Sequence, residues 1–334
     1  MKLKKAIAAA VLVCASVLAA GGCGRRQAEP VSRSDFLLNT FVTVTLYDSE
    51  DEAILDGCLE LCSHYEDLLS RTKEDSEIFR LNHREPGTRE MEVSAETAEV
   101  IERGLYYSRL SGGAFDITVE PLSSLWDFTA AEPELPDPEM IRENLPKVGY
   151  ERVSVSGNTI VFADDETRID LGAIAKGYIA DKMKEYLLEQ GVDSAIINLG
   201  GNVLCVGGYG EEPFRIGIQR PYADRSETVG VLEIRDLSAV SSGVYERHFE
   251  KDGVNYHHIL DPKTGYPYEN GLTAVTIVSE KSVDGDGLST TCFSLGLERG
   301  MELVNSLEHV WAVFITDDGE LHYSDGMEQW LARQ

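Results

Sequence analysis

The sequence predicts an α+β fold in which helices pack on mixed, largely antiparallel sheets. Three observations support this class. Short β-branched runs of alternating polarity, typical of strands, occur along most of the chain. A few segments have the period of an amphipathic helix. Strands and helices do not alternate strictly, as the crossover connections of a doubly wound parallel sheet require.

Four helices are predicted from apolar spacing and from their start and stop signals. Residues 50–69 carry apolar side chains at helical spacing. The second helix begins at Ser94 and is stopped by the paired glycines at 112–113. The third and fourth helices span residues 174–189 and 287–295, and a glycine follows each of them.

The strands are predicted from runs that alternate between apolar and polar residues. The first, Phe-Val-Thr-Val-Thr-Leu-Tyr at residues 41–47, indicates one buried face and one wet face. Further short strands are predicted at residues 152–155, 159–162, 194–199, 214–219, 229–234, 239–240, 256–259, 274–278, 310–315 and 321–323.

The composition favours a folded protein that does not bind nucleic acid. Of 334 residues 43% are hydrophobic, which is enough for the core of one large domain or two. There are 58 acidic and 30 basic residues, a formal net charge of −28. Phosphate backbones attract basic surfaces, so a nucleic-acid partner is excluded. An anionic ligand would need a metal ion, a helix N-terminus or a placed cation beside it.

The first residues have the pattern of an export signal. Three lysines precede an almost wholly apolar run over residues 6–20, which is shorter than a bilayer span of about 20 residues. Small residues then lead directly into Cys23, and this arrangement resembles a bacterial lipobox. Ordinary signal-peptidase cleavage without lipid attachment is the alternative.

This signal divides the chain into three parts. We expect residues 1–22 to be a lipoprotein signal peptide and Cys23 to carry the lipid. Residues 23–34 would form a polar tether, and residues 35–334 the folded domain. The domain would then lie on the extracytoplasmic side of the cell membrane, attached to it through the lipid.

Four cysteines follow Cys23, at positions 58, 62, 205 and 292. Cys58 and Cys62 lie on one face of the first predicted helix, because they are four residues apart. Two buried, small hydrophobic side chains are expected there. A zinc site would need two more ligands nearby, and a C-x3-C pair within a helix strains the geometry of a disulfide.

Residues 169–181 suggest a phosphate-binding turn. Asp170 comes before the third predicted helix and Lys176 lies early inside it. A glycine-containing turn that enters a helix offers free backbone N–H groups and the positive end of the helix dipole. The alternative is that Asp170 only caps the helix and that Lys176 is only solvated.

Asp286 and Thr290 suggest a magnesium site. Their spacing of four residues places a carboxylate and a hydroxyl on one face of a helix. Hard oxygen ligands of this kind suit Mg²⁺, which takes its remaining ligands from phosphate and water. The alternative is an ordinary helix start in which Asp286 caps and Thr290 packs.

Three other features each have a functional and a structural interpretation. His257 and His258 fall on a predicted strand, so one points inward, where it is either a core histidine or a base that Asp261 could orient. Phe115 is either a core residue or lies under a planar ring. Gly200–Gly201 is either a tight turn or a close approach to a ligand.

Six motifs follow one another along the chain. They are G-G-A-F-D-I-T-V-E-P-L (112–122), I-D-L-G-A-I-A-K-G-Y-I-A-D (169–181), N-L-G-G-N (198–202), S-G-V-Y-E-R (242–247), H-I-L-D-P-K-T-G-Y-P (258–267) and D-G-L-S-T (286–290). Together they resemble the ApbE family of FAD:protein FMN transferases, over roughly residues 38–314.

The resemblance implies an ApbE-like, T-fold-like architecture and an Mg²⁺-dependent enzyme with FAD as its substrate. Such an enzyme transfers FMN through a phosphoester to a Thr or Ser hydroxyl of an acceptor flavoprotein and releases AMP. The implied acceptors are a subunit of a sodium-pumping (Nqr-type) quinone oxidoreductase or of an Rnf-type complex, or an extracellular reductase.

The same resemblance implies roles for individual residues. The Mg²⁺ ligands would be the backbone carbonyl of Ala173 and the side chains of Asp286 and Thr290, and His258 would be the base. Contacts with FAD are implied at Leu38, Thr72, Ala114, Phe115, Asp116, Asp170, Lys176 and Leu260. The chain departs from the family at residues 38–40, where Leu-Asn-Thr stands for Met-Gly-Thr, and at Thr72, where an aromatic residue is common.

Two alternative functions stay open. One is an Mg²⁺-dependent FAD pyrophosphatase, in which water replaces the acceptor hydroxyl and the products are FMN and AMP. The other is a lipid-anchored protein that binds or stores flavin without turnover.

Overall fold

A computed structural model describes residues 29–224 and 226–333. Within these ranges the chain forms fifteen strands and seven α-helices. The strands are β1 (Val31–Leu37), β2 (Thr40–Leu46), β3 (Glu90–Glu92), β4 (Val153–Ser156), β5 (Thr159–Phe162), β6 (Ala195–Leu199), β7 (Asn202–Val206), β8 (Phe214–Gln219), β9 (Thr228–Ile234), β10 (Ser238–Gly243), β11 (His248–Lys251), β12 (Val254–His257), β13 (Leu272–Ser279), β14 (Val310–Thr316) and β15 (Leu321–Tyr323). The helices are α1 (Glu52–Leu69), α2 (Glu77–Asn82), α3 (Ala95–Leu110), α4 (Glu120–Ser123), α5 (Pro138–Asn144), α6 (Ala175–Glu189) and α7 (Ser282–Asn305).

The main sheet has eight strands in the order β1-β2-β6-β7-β10-β13-β14-β15. Every neighbouring pair is antiparallel, and each strand pairs with the next strand of this sheet along the chain. Smaller sheets are β3-β5-β4, β8-β9 and β11-β12. The predicted α+β class is therefore confirmed.

The core lies on both faces of this sheet. All eight residues of β13 are buried. Val275 and Ile277 point into a core shared with α1, α6 and α7, whereas Val278 packs with Leu232 and Ile234 of β9 on the opposite face. Alternate residues of one strand thus stabilise two hydrophobic layers, as the two-residue period of a strand requires.

Most predicted elements are present with small shifts at their ends. Ser94 caps α3 as expected, because its side chain accepts a hydrogen bond from the backbone N–H of Thr97. Strands β3, β7 and β11 and the short helices α2, α4 and α5 were not predicted from the sequence. These elements are short, and a run of three to seven residues carries too little periodicity to be recognised.

Two predicted boundaries are wrong. The helix expected to end at Gly296 bends there (φ 78°, ψ 176°) and continues to Asn305, because apolar spacing resumes after the glycine. The expected tether at residues 23–34 overlaps β1, which begins at Val31. This edge strand is mostly polar, and it is held by pairing with β2 and by hydroxyl pairs such as Ser34 with Thr43. Cys23 and the expected signal peptide at residues 1–22 lie outside the described residues.

The four described cysteines at positions 58, 62, 205 and 292 are free and buried, as expected for Cys58 and Cys62. Burial raises the pKa of each thiol to about 12, so the thiols stay protonated at neutral pH. In the part of the chain that the structure describes, no helix combines the length and apolarity needed to cross a bilayer.

Candidate active site

The N-terminal turns of α6 and α7 meet at Gly177 and Asp286. The Oδ2 atom of Asp286 accepts a hydrogen bond from the Gly177 N–H at 2.9 Å, and its Oδ1 lies 3.5 Å from the Nζ of Lys176. Asp286 is only 3% exposed. A β-carbon on residue 177 would lie 2.3 Å from the Ser282 carbonyl oxygen, so the two helices approach this closely only because residue 177 is glycine.

The carbonyl of Ala173 precedes α6, whose N-cap is Ile174. The Gly177 N–H is one of the first N–H groups of α6, which have no acceptor within the helix, and it bonds to Asp286. Within residues 29–224 and 226–333 no backbone N–H donates to Ala173. Thr290 lies one turn after Asp286, and its hydroxyl is 3.0 Å from that of Ser242 in β10. Ala173 thus lies four residues before Gly177, and Thr290 four residues after Asp286, near the point where the two helices meet.

The structure decides against an ordinary helix start at Asp286. Helix α7 begins at Ser282, so Asp286 lies in its second turn and does not cap α7. The start was placed too late because the first five residues, Ser-Val-Asp-Gly-Asp, have weak helix propensity.

Asp170 shapes the turn that enters α6 and does not cap the helix. Its Oδ1 accepts from the Gly172 N–H at 2.9 Å, and its Oδ2 accepts from the Ser123 hydroxyl at 2.8 Å. The Arg71 Nε lies 3.3 Å from the same Oδ2, and an Arg71 Nη lies 3.8 Å from Glu120. Burial raises the pKa of Glu120, and Arg71 opposes that shift.

Arg71 is a site residue that the sequence analysis missed. A cation next to Thr72, itself an expected FAD contact, was the available signal. Thr72 is exposed in the loop after α1. Leu38, at the tip of the β1–β2 turn (φ 54°), donates its N–H to Glu66 of α1 at 2.8 Å. Glu66 also binds Lys73 at 2.7 Å, so the expected contacts at 38 and 72 are near each other.

The loop over residues 112–116 contributes mainly backbone groups. The ring of Phe115 is 4% exposed and packs edge-to-face with Tyr107, so the core interpretation of Phe115 is correct. Both carboxylate oxygens of Asp116 are used within the protein, by Thr118 and by the Tyr150 N–H. Burial raises the pKa of Asp116. Any contact of this loop with a ligand is thus easiest through main-chain atoms or Ala114.

Two further expected contacts are Leu260 and the glycine pair at residues 200–201. Leu260 is 7% exposed and packs with Leu122 and Trp126, so its side chain belongs to the core. Gly200 and Gly201 form the two-residue turn between β6 and β7, with φ of 63° and 98°. The tight-turn interpretation of these glycines is therefore correct.

His258 follows β12 and is half-buried. Its backbone N–H donates to the Arg247 carbonyl at 3.1 Å, and its buried Nδ1 has no hydrogen-bond partner among the described residues. Burial lowers the pKa of His258 to about 3, and the positive charges of Arg247 and Lys176 contribute. The imidazole is therefore neutral at physiological pH. Asp261 does not orient it, because that carboxylate bonds the Lys263 N–H in the following turn.

His257 is the inward-facing core histidine. Its Nε2 is 3.0 Å from the Tyr268 carbonyl oxygen, its Nδ1 accepts from the Ile259 N–H, and it is 4% exposed. Burial lowers its pKa to about 4. The two adjacent histidines thus differ, because one has both ring nitrogens bonded and the other does not.

The low pKa of His257 predicts a loss of stability in acid. Between about pH 6.5 and 4 the unfolded chain binds a proton at this residue while the folded chain does not, so folding weakens as pH falls. This shift corresponds to about 2 kcal/mol at pH 5. The melting temperature should fall between pH 7 and pH 5 in both proteins. We expect the fall to be a few degrees smaller for His257→Gln than for the wild type. Thermal melts at both pH values measure this, and equal losses would contradict it.

The chain is similar to known proteins in sequence and in fold. The chain is 37% identical over 292 residues to an FAD:protein FMN transferase of Klebsiella pneumoniae, covering 87% of this chain and 90% of that one. It is 33% identical to an FAD:protein FMN transferase of Treponema pallidum, covering 95% and 93%. The crystal structure of the ApbE protein of Thermotoga maritima superposes with a TM-score of 0.83 at 30% identity, covering 91% of this chain and all of that one.

Likeness of this extent, in sequence and in fold, makes the chain an enzyme of the transferase class. The sequence pattern of the ApbE family matches residues 38–315, which is most of the chain. The protein belongs to the ApbE family.

Proposed function

We propose that this enzyme transfers the FMN part of FAD through a phosphoester bond to a Thr or Ser hydroxyl of an acceptor protein. The observation that carries the proposal is the helix junction at Asp286 and Lys176, together with a neutral histidine whose buried Nδ1 has no partner among the described residues. A diphosphate needs local positive charge in so acidic a protein, and Lys176 and the α6 N-terminus supply part of it.

Magnesium fits the donors at this junction. No group of three or more His, Cys, Asp or Glu side chains that could hold a metal occurs among the described residues. The proposed set needs just one carboxylate, since Mg²⁺ usually keeps several waters and binds substrate phosphates. Asp286, the free Ala173 carbonyl and the Thr290 hydroxyl are hard oxygen donors of the required kind. When bound, Mg²⁺ would polarise the phosphoryl oxygens and offset charge on the leaving AMP.

The residues of the chain then have separate tasks in one displacement. Lys176 and the turn over residues 170–173 hold the diphosphate. The acceptor oxygen attacks the phosphorus on the FMN side, and the bond from that phosphorus to the oxygen of AMP breaks, with the electron pair leaving on AMP. His258 accepts the hydroxyl proton, a role in which a general base contributes about 10²–10⁴-fold.

We propose the location and partners from the sequence and the family likeness. A lipid on Cys23 would attach the enzyme to the cell membrane on its extracytoplasmic side. The acceptor would be a flavoprotein with an exposed Thr-containing segment, of the Rnf or Nqr type or an extracellular reductase.

The test is a flavinylation assay with the purified chain, FAD, Mg²⁺ and an acceptor domain that carries such a Thr. We expect a fluorescent acceptor band on a denaturing gel, an FMN phosphoester by mass spectrometry, and AMP in equal amount. The matched control is the acceptor with that Thr replaced by Val. FMN and AMP formed at the same rate without acceptor would indicate a pyrophosphatase, and bound FAD without any product a storage protein.

A further inference from the structure

The N-terminus of α7 is capped by a residue of another helix. The residue in the capping position, Lys281, makes no side-chain capping bond. Instead, Asp181 of α6 accepts from the Ser282 N–H at 2.8 Å through Oδ1 and from the Val283 N–H at 2.9 Å through Oδ2. A carboxylate 101 residues earlier therefore satisfies two of the N–H groups that a helix start leaves open.

A second bond lies one turn earlier on α6 and one turn later on α7. Asp181 follows Gly177 by four residues on α6, and Asp286 follows Ser282 by four residues on α7. The two contacts, from Asp181 to the start of α7 and from Asp286 to Gly177, run in opposite directions between the helices. Sliding one helix by a single residue, about 1.5 Å, would break both of them. The pair fixes the register of α7 against α6 as well as its rotation.

The same turn of α7 is held from two further sides. The Ser282 hydroxyl donates to Asn202 at 2.7 Å, and the Tyr107 hydroxyl donates to Asp284 at 2.7 Å. Asp181 itself is half-buried, and desolvation raises its pKa to about 6. A partly desolvated carboxylate is a costly way to cap a helix, because Ser or Asp at the N-cap would serve at the surface. We therefore interpret the Asp181 cap as a contact that orients α7, because a surface cap would stabilise the helix at a lower cost.

We propose that Asp181 is a positioning residue for the phosphate and metal site, because it sets where Asp286 and Thr290 stand relative to Ala173. This inference rests on the proposed function. Asp181 touches no reacting group and acts through α7. Groups that orient ligands in this way typically change metal affinity by 10–100-fold when they are altered.

The test compares Asp181→Asn with Glu77→Gln. Asparagine keeps one acceptor but turns an N–H₂ group toward the second backbone N–H, so α7 must shift. Glu77 is a matched control, because it is a carboxylate of α2 that accepts from the N–H and hydroxyl of Ser94 at the start of α3. Binding of Mn²⁺, as a probe for Mg²⁺, is measured by electron paramagnetic resonance, together with the Mg²⁺ dependence of product formation and the melting temperature.

We expect Asp181→Asn to raise the Mn²⁺ dissociation constant about tenfold, and excess Mg²⁺ to restore most of the activity. Glu77→Gln should lower the melting temperature without moving that constant. An unchanged constant in a folded Asp181→Asn protein would overturn the positioning role. If that variant does not fold, Gly177→Ala disturbs the second contact between the two helices. An unchanged Mn²⁺ dissociation constant in this variant would likewise overturn the positioning role. No Mn²⁺ binding by the wild type would overturn the proposed metal site itself.

Discussion

Asp286→Asn should lower FMN transfer by about 10³-fold while the protein stays folded. The amide keeps the shape of the carboxylate and can still accept from the Gly177 N–H, which holds the helix junction together. It lacks the charge that faces Lys176 and that would bind Mg²⁺. The measurement is the initial rate of acceptor flavinylation, with Mn²⁺ binding by electron paramagnetic resonance as a second readout. Asp286→Ala should be equally inactive and melt at a lower temperature, since it leaves the buried Gly177 N–H without an acceptor.

Asp284→Asn is the control for this prediction. Asp284 lies two residues earlier on α7 and accepts from the Tyr107 hydroxyl at 2.7 Å, with an Arg103 Nη at 3.9 Å. The Asp284→Asn variant also removes one negative charge from α7, but in its first turn and on the side that faces α3. We expect its rate to stay within a few-fold of the wild type. Equal losses in the two variants would show that the charge of the helix start matters and that Asp286 has no special role.

His258→Ala should slow transfer by about 10²–10⁴-fold and leave FAD binding nearly unchanged. The reason is that the imidazole is neutral and that its Nδ1 has no partner within the part of the chain that the structure describes. Because its pKa is about 3, the wild-type rate should show no inflection from this residue near pH 6.5, the ordinary pKa of histidine. Single-turnover rates and FAD titrations, each between pH 5 and pH 9, separate the two effects.

His257→Gln is the control for the second prediction. The two histidines are adjacent, but His257 bonds the Tyr268 carbonyl and the Ile259 N–H, so it has no free nitrogen for a substrate. Transfer by His257→Gln should stay close to the wild-type rate at pH 7.5. If His258→Ala loses FAD binding and keeps its rate per bound FAD, then His258 is a binding residue and the base lies elsewhere.

Local signals in the sequence were sufficient for much of this structure. Ser94 predicted the start of a helix, because a capping hydroxyl and the backbone N–H that donates to it lie three residues apart. The spacing of Asp286 and Thr290 predicted a shared helix face, because residues four apart lie one above the other on a helix. The paired glycines at 200–201 predicted a turn, because both residues need positive φ.

The features that were missed depend on residues far apart in the chain. The Asp181 cap joins residues separated by 101 positions, and the Gly177–Asp286 bond joins residues separated by 109. Nothing in the local pattern around Gly177 shows that a second helix will pack against it. Arg71 likewise gains its meaning from Asp170, which lies in another part of the sequence. Strand β1 was taken for a tether because an edge strand can be polar on both faces.

The sequential order of the main sheet has a consequence for how this family can diverge. Three connections between neighbouring strands of the sheet carry most of the site residues, and these connections are called detours below. They are residues 47–194 between β2 and β6, 244–271 between β10 and β13, and 280–309 between β13 and β14. Since the ends of a detour are pinned side by side, lengthening it adds only a small closure entropy. Insertions and deletions among homologues should therefore accumulate in detours such as 244–271, which carries His258 on its hairpin. Evolution could retune the surface offered to different acceptors while the strands and the α6–α7 junction stay as they are.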